Sequence, residues 1–280
     1  VKPTEQNIHE QIAWSLTQGE SSLSAAWILQ DDTLYLSRSV ASPQPKPWNA
    51  VVNLIQGIFD SSIDHSFFIL RERIHTTEKK NLMSHGMMKL TAKRMSYEVQ
   101  SRDHKLSLPK KQIELLAGRD SRWKSQWQQE IEYEIPEKFS NLNEAAQCCQ
   151  RLAESVPRGE VLHDINRAIA AILMAEGGQV LAWATNSNKI NKTLHAEVAA
   201  IQNYYRQFQT SIPKNATLIV SLKPCVMCAG MLVEACENRE DLKVIYLQDD
   251  PGVLARQDFL KMNQLFVAES ASPGSKLVTS

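Results

Sequence analysis

Four residues of this 280-residue sequence have types and spacing that suit a metal centre with its own proton carrier: His195, Glu197, Cys225 and Cys228, with Pro224 leading into the cysteine pair. Cys-x-x-Cys at a helix start lets two sulfurs converge on one ion, and the free N–H groups and dipole there favour the thiolate that binds metal. One imidazole and two thiolates make up the three protein ligands of a catalytic zinc, whose fourth position is left to water. Zinc lowers the pKa of such water to near neutrality. Glu197, two residues from His195, need not ligate the ion and can instead act as base and then acid. The candidate ligands of one catalytic Zn2+ are thus His195, Cys225 and Cys228, and the candidate catalytic residue is Glu197.

Competing readings of these residues are weaker. A dithiol redox pair at Cys225 and Cys228 would not require His195, Glu197 or Pro224. A structural zinc would want a fourth protein ligand, and Cys236 lies two helical turns beyond Cys228, too far to share the ion. Cys148 and Cys149 sit in an apolar helical stretch and read as core, and His163 reads as a capped or surface histidine. Asp249 and Asp250 follow a strand at a sheet's carboxyl edge, where ligands often bind; a turn before Pro251-Gly252 explains them equally well.

The elements that must position these groups are legible in the second half. Leu142 to Val156 reads as a helix, Ala168 to Ala175 and Val180 to Thr185 as a hairpin turning at Gly177-Gly178, and Leu194 to Phe208 as a helix. Ala216 to Leu222 reads as a buried strand, Cys225 to Cys236 as a helix and Lys243 to Leu247 as a strand. A short helix over Val253 to Lys261 and a strand over Gln264 to Ala268 complete the order. This predicts a three-layer α/β/α unit with a mixed five-stranded sheet, spanning 137–280.

The first half, 1–136, predicts a second α/β domain: a helix over 5–18, a hairpin of Leu23 to Gln30 and Thr33 to Val40 around Asp31-Asp32, and a helix over Trp48 to Phe59. A buried strand is expected over His65 to Leu70, a helix over Leu82 to Leu90, strands within 91–108 and a helix over Ile113 to Trp127. The run from Ala25 to Gln56 lays over the run from Ala170 to Gln202 at a shift of about 145 residues. On that match the first domain is a degenerate copy, blank at Asn49, Val51 and Arg73 where the second carries His195, Glu197 and Cys225. Chance similarity between two α/β hairpins stays open, since only short apolar runs agree.

Composition bounds the remainder. The formal net charge is zero, yet 71–124 holds 14 Lys plus Arg against 6 Asp plus Glu, so this stretch is either a nucleic-acid footprint or a solvated face paired with the acidic remainder. Five cysteines without framework spacing suit a reducing compartment. With no apolar run of membrane length and no signal-type N-terminus, the expectation is a cytoplasmic protein without a membrane partner.

His195-x-Glu197 with Pro224-Cys225-x-x-Cys228 resembles the signature of the cytidine/deoxycytidylate deaminase superfamily, over about Leu142 to Ala268. A helix followed by a fifth strand after Tyr246 is similar to the branch with tRNA adenosine and guanine deaminases. The whole also resembles a small group of two-domain deaminases from predatory bacteria. The resemblance implies a cytidine deaminase-like fold and a hydrolase of the C–N bonds of cyclic amidines, taking the exocyclic amine from a base, nucleoside or nucleotide. Asn186 resembles the Asn such enzymes use against base or sugar, and Ala196 is the other candidate substrate contact. The loop from Asn186 to His195 lacks the Asp-Pro that many members carry before the His, which leaves the base open among cytosine, adenine and guanine. Two alternatives remain at this level: an RNA or tRNA deaminase docking through the basic stretch, and a zinc-binding subunit without turnover. Either a monomer or a homodimer is compatible.

Overall fold

The computed structural model describes residues 3–61, 63–92, 94–116, 134–156, 159–161, 164–187 and 191–266. Helix α1 (Glu5–Thr17) opens on Thr4, whose hydroxyl accepts from the Asn7 N–H while the Asn7 side chain accepts from the Thr4 N–H. This reciprocal cap satisfies two donors that a helix start otherwise leaves orphaned. Strands β1 (Leu23–Gln30) and β2 (Thr33–Val40) pair antiparallel from Leu23↔Val40 to Gln30↔Thr33. Their turn residues Asp31 and Asp32 both take positive φ, 46° and 59°, as a two-residue hairpin with the right-handed twist of its strands demands.

Helices α2 (Ala50–Ser61) and α3 (Ile63–Ile69), strand β3 (Ile74–Thr76), helix α4 (Leu82–Thr91) and strands β4 (Met95–Ser96) and β5 (Lys111–Glu114) follow. Here the structure departs from expectation. Residues 65–69 are helical, and the strand comes later, where His75 pairs with Trp27; a short apolar run does not distinguish strand from buried helix by period. Ile113 and Glu114 belong to β5, which pairs in parallel with β2 and covers its edge, and the part of the expected helix beyond 116 lies outside the described residues. Of the strands expected within 91–108, only β4 forms among the described residues.

The second half runs α5 (Leu142–Glu154), a short hairpin β6 (Gly159–Val161) and β7 (Asp164–Asn166), then β8 (Ala170–Met174), β9 (Val180–Thr185), α6 (Ala196–Phe208), β10 (Thr217–Leu222), α7 (Val226–Ala235), β11 (Lys243–Gln248) and β12 (Asn263–Gln264). The helix expected over 253–261 is one 3-10 turn, Val253–Ala255; beyond it the Leu260 N–H bonds the Gln257 side chain at 3.1 Å, a local bond that competes with a helical one. The last strand is shorter than expected, and residues 267 and 268 lie outside the described set.

Two mixed five-stranded sheets result, in the orders β4-β3-β1-β2-β5 and β12-β11-β10-β8-β9. In both, the hairpin strands pair antiparallel, the next strand joins the hairpin's first strand antiparallel, and the strand after that adds in parallel. The fifth strands differ: β5 lies outside β2, whereas β12 lies outside β11.

Alternation along the strands divides the apolar side chains between layers. Ala170, Ile172, Met174 and Ile219 face α5 with Cys149 and Leu152, and Ala25, Trp27, Leu34 and Leu36 face α1. The opposite faces, with Ala26 and Ile28 from one sheet and Ala171, Leu173, Leu218 and Val220 from the other, share one core filled by α2, α4, α6 and α7. No helix among the described residues is long and apolar enough to cross a membrane.

One buried polar cluster makes the first half acid-sensitive. The His75 ring stacks on His9 at 3.5 Å between centroids and lies beside Trp27, whose Nε1 donates to His9 Nδ1 at 3.2 Å. Burial, aided by His9 and Arg73, pushes His75 down to about 3. The unfolded chain therefore binds a proton here below its ordinary value of 6.5 while the folded chain refuses it, so stability is full above that pH and falls as pH drops toward 3. Urea unfolding should show a loss on the order of 1–2 kcal/mol between pH 7 and pH 5 from this group, and His75→Phe should flatten that slope. An unchanged slope in the variant would exclude His75 as its source.

Candidate metal and catalytic site

Helix α7 begins at the carboxyl end of β10, where Lys223-Pro224 turns the chain and Cys225 takes the N-cap position with extended φ, ψ of −74° and 172°. His195 holds the same position at the start of α6, at −64° and 155°. Neither side chain caps its helix, whereas Thr4, Asn81 and Asn141 cap α1, α4 and α5. The imidazole and thiol are turned toward each other instead. His195 Nδ1 lies 3.6 Å from Cys225 Sγ and 3.4 Å from Cys228 Sγ, and the sulfurs are 3.6 Å apart.

Those spacings test the fit of a zinc ion directly. Tetrahedral coordination with Zn–S of about 2.3 Å and Zn–N of about 2.0–2.1 Å sets ligand atoms about 3.8 Å (S to S) and about 3.6 Å (S to N) apart. The three atoms match that set within a few tenths of an ångström, and among the described residues they form the one such group. Without an ion, the hydrogen bond from the Cys228 thiol holds Cys225 well below the usual thiol range, while burial raises Cys228.

Glu197, in the first turn of α6, is 3% exposed. Burial pushes its carboxyl up to about 7, against the opposing pull of His195, and its Oε2 has no hydrogen-bond partner among the described residues. It lines a pocket of about 300 Å3 together with His195, Cys225 and Asn186. Asn186, just past β9, is buried; its N–H donates to the Ile169 carbonyl at 2.9 Å and its Nδ2 to the Arg167 carbonyl at 3.3 Å. Ala196 is fully buried as the first residue of α6, and what it can offer a ligand is its backbone.

The other cysteines stay apart. Cys149 Sγ donates to the Ala170 carbonyl at 3.3 Å, with burial raising its thiol pKa, and Cys236 Sγ donates to the Val233 carbonyl at 3.3 Å. His163 lies outside the described residues. Asp249 and Asp250 serve the rim: Asp249 pairs with Lys223 at 2.9 Å, and Asp250 pairs with Arg167 at 3.3 Å while accepting the Gly252 N–H at 2.8 Å.

Arg167, Lys223, Leu254 and Leu90 also line the pocket, and reading the sequence did not identify them. Lys223 adjoins the Pro-Cys motif and could have been proposed. Leu90 comes from the first half, and no local signal links it to a motif more than a hundred residues away.

The stretch that carries His195, Glu197, Cys225 and Cys228 is similar to known proteins. Residues 160–266 match the model of the Bd3614-like deaminase family. A tRNA-specific adenosine deaminase of Haemophilus influenzae is 35% identical over 84 residues, covering 29% of this chain and 47% of that protein. A tRNA(Ile)-lysidine synthase of Deinococcus deserti is 29% identical over 85 residues, covering 30% of this chain and 15% of that one. The chain thus spans less than half the length of these curated relatives. A solved structure from work on A-to-I editing by tRNA:A34 deaminases is 32% identical, with 30% of this chain and 59% of that one covered and a TM-score of 0.27. The signature residues, the family-model match and the sequence matches to tRNA-specific adenosine deaminases support the cytidine deaminase superfamily for residues 160–266.

Proposed function

We propose that this protein is a zinc-dependent hydrolytic deaminase that removes the exocyclic amine of a nucleobase, free or within a nucleoside or nucleotide. The observation that carries the reading is the buried Glu197 Oε2, without a hydrogen-bond partner among the described residues, beside three donor atoms spaced for one ion. Leaving a buried polar atom unpaired costs about 1–3 kcal/mol, and more if it is charged. A structural metal site gains nothing in return for that cost.

His195, Cys225 and Cys228 would hold the zinc, which supplies Lewis acidity and so a water-derived nucleophile at neutral pH. Glu197 takes a proton from the attacking water and passes it to the ring nitrogen beside the amine-bearing carbon. It then takes the proton of the added hydroxyl and delivers it to the amine, so that the C–N bond breaks, ammonia leaves and a ring carbonyl remains. Asn186 can donate and accept, and the Ala196 N–H lies among the helix-start donors that lack an intrahelical partner. These two groups would orient the base. A volume of about 300 Å3 is at the small end for ligand pockets and suits a single base; one held in RNA would have to be unstacked to enter.

A second reading, a tRNA substrate, is favoured by the names of the relatives and by the excess of 14 basic over 6 acidic residues in 71–124. Five free cysteines fit action in a reducing compartment such as the cytoplasm.

Glu197→Ala should lower ammonia release by about 10²–10⁴-fold while leaving about one zinc per chain, whereas Cys225→Ser should lose both. Loss of zinc in the Glu197 variant would make that residue structural, and no ammonia from any base, nucleoside or tRNA in a panel would favour a subunit without turnover. If tRNA is the substrate, binding should weaken by about 10³-fold or more from 50 to 200 mM salt, as for several phosphate contacts. A salt-independent KM for a free base or nucleoside would favour the small-molecule reading.

A further inference from the structure

The two halves share more than strand order. Asn49 immediately precedes α2 as His195 precedes α6, and Asn81 caps α4 in the position Cys225 holds on α7. In this register Ser84 stands opposite Cys228, Gly86 opposite Gly230, and Met83 and Met87 opposite Met227 and Met231. The counterpart of Cys225 is therefore Asn81, and Arg73, in the loop before β3, drops out of the comparison.

Contacts between the halves obey the same register. Gln56 and Gln202, each seven residues past its helix-start residue, exchange two buried hydrogen bonds of 3.4 and 2.9 Å. Helices α4 and α7 cross through their glycines. A Cβ on Gly86 would lie 2.5 Å from the Val226 carbonyl oxygen and 2.7 Å from Met227 Cα. One on Gly230 would overlap the Leu82 carbonyl oxygen and lie 3.1 Å from the Met83 nitrogen. Residues 82 and 83 are the counterparts of 226 and 227, so each contact is answered by its own counterpart. That reciprocity is the mark of a twofold, self-complementary interface, here within one chain.

The first half also accounts for its missing chemistry. Asn49 Nδ2 donates to Ser84 Oγ at 2.6 Å, its Oδ1 accepts from the Val52 N–H at 2.9 Å, and Asn81 Oδ1 accepts from the Ser84 N–H at 2.8 Å. The three residues opposite the metal-ligand set thus spend their polar atoms on each other and on helix caps. Glu78 Oε1 accepts from the Ala50 N–H at 2.8 Å and from the Ser24 hydroxyl at 2.9 Å. A carboxylate of the chain itself fills the helix start that, in the other half, opens on the catalytic pocket.

We propose that the chain before residue 137 is a metal-free copy of the deaminase half, retained as a built-in partner that completes the pocket, with Leu90 selecting substrate shape. Leu90, near the end of α4, enters the wall of the pocket that holds His195 and Glu197. Its counterpart on α7 is Glu234, whose Oε1 accepts the Leu82 N–H at 3.1 Å and so secures the start of α4. The twofold-equivalent positions have diverged, one toward substrate and one toward holding the partner helix.

The role of Leu90 rests on the deaminase reading; the copy relation does not, and the experiment separates them. Asn49→His, Asn81→Cys and Ser84→Cys together should raise bound zinc from one to two per folded chain by atomic absorption; a count that stays at one overturns the correspondence. Should that variant not fold, Gln56→Leu and Gln202→Leu decide: each single change should lower Tm, and the double should be no worse than either, whereas additive losses overturn the reciprocal contact. Leu90→Ala should raise KM about tenfold with kcat within twofold and zinc unchanged; an unchanged KM for every substrate turned over removes Leu90 from specificity. Absence of any turnover in the wild-type chain would sink the deaminase reading and leave the zinc count to judge the copy.

Discussion

Holding an imidazole nitrogen and two sulfurs 3.4–3.6 Å apart inside a core works against the stability of a bare chain. Two thiolates so close would repel, and their surroundings favour the anion at Cys225 and disfavour it at the buried Cys228. Both helix starts give up a side-chain cap, worth about 1 kcal/mol each. Glu197 adds a buried carboxyl whose charged form the surroundings disfavour. Folding concentrates these costs in one corner, and the surrounding packing must offset them.

Strand β10 gives that corner its geometry. It pairs antiparallel with β8 and parallel with β11, so its carboxyl end delivers the Cys225 turn to the same sheet edge as the end of β9, across β8, where Asn186 sits and from which the chain proceeds to α6. Ions and small ligands collect at such carboxyl edges because helix starts aim unpaired N–H groups there. The rim pairs Lys223–Asp249 and Arg167–Asp250 each join one exposed partner to one largely covered partner, so solvent screens them in part and they add little stability.

How much of this the sequence disclosed follows from the range of the interactions involved. His195-x-Glu197 and Pro224-Cys225-x-x-Cys228 are legible because spacing along one helix turn decides which atoms converge, and the Asp31-Asp32 hairpin is legible because its turn chemistry is local. The place of β3 is not legible because Phe67, Phe68, Ile69 and Leu70 form an apolar run that suits a strand by pattern, whereas the chain there is helical through Ile69, buries Ile69 and Leu70 and leaves Phe68 exposed. A strand over 65–70 aligns Arg73 with Cys225; with β3 at Ile74–Thr76, Met83-x-x-Gly86-Met87 aligns with Met227-x-x-Gly230-Met231. The pocket wall at Leu90 was not legible at all, because it depends on how two helices cross, which no local pattern encodes.

The crossing of α4 and α7 also explains why the helix that carries Cys228 cannot stand alone. Along α7 only Val233 and Glu234 retain appreciable exposure, while Met227, Cys228, Ala229, Met231 and Leu232 have none. A helix apolar all round must be covered on every side. Exposing Met227, Met231 and Leu232 alone would cost on the order of 5–9 kcal/mol, comparable to the whole stability of an ordinary domain. Sheet β8–β12 covers one side and α6 another; the last is covered by α4, close enough that Gly86 and Gly230 leave no room for a Cβ. On the proposed copy relation, metal-ligating side chains could be dispensed with in the first half, but not the helix α4 that covers α7. Asn81 and Ser84 suit that requirement: Asn81 Oδ1 accepts the Ser84 N–H at 2.8 Å and so caps α4 without an ion.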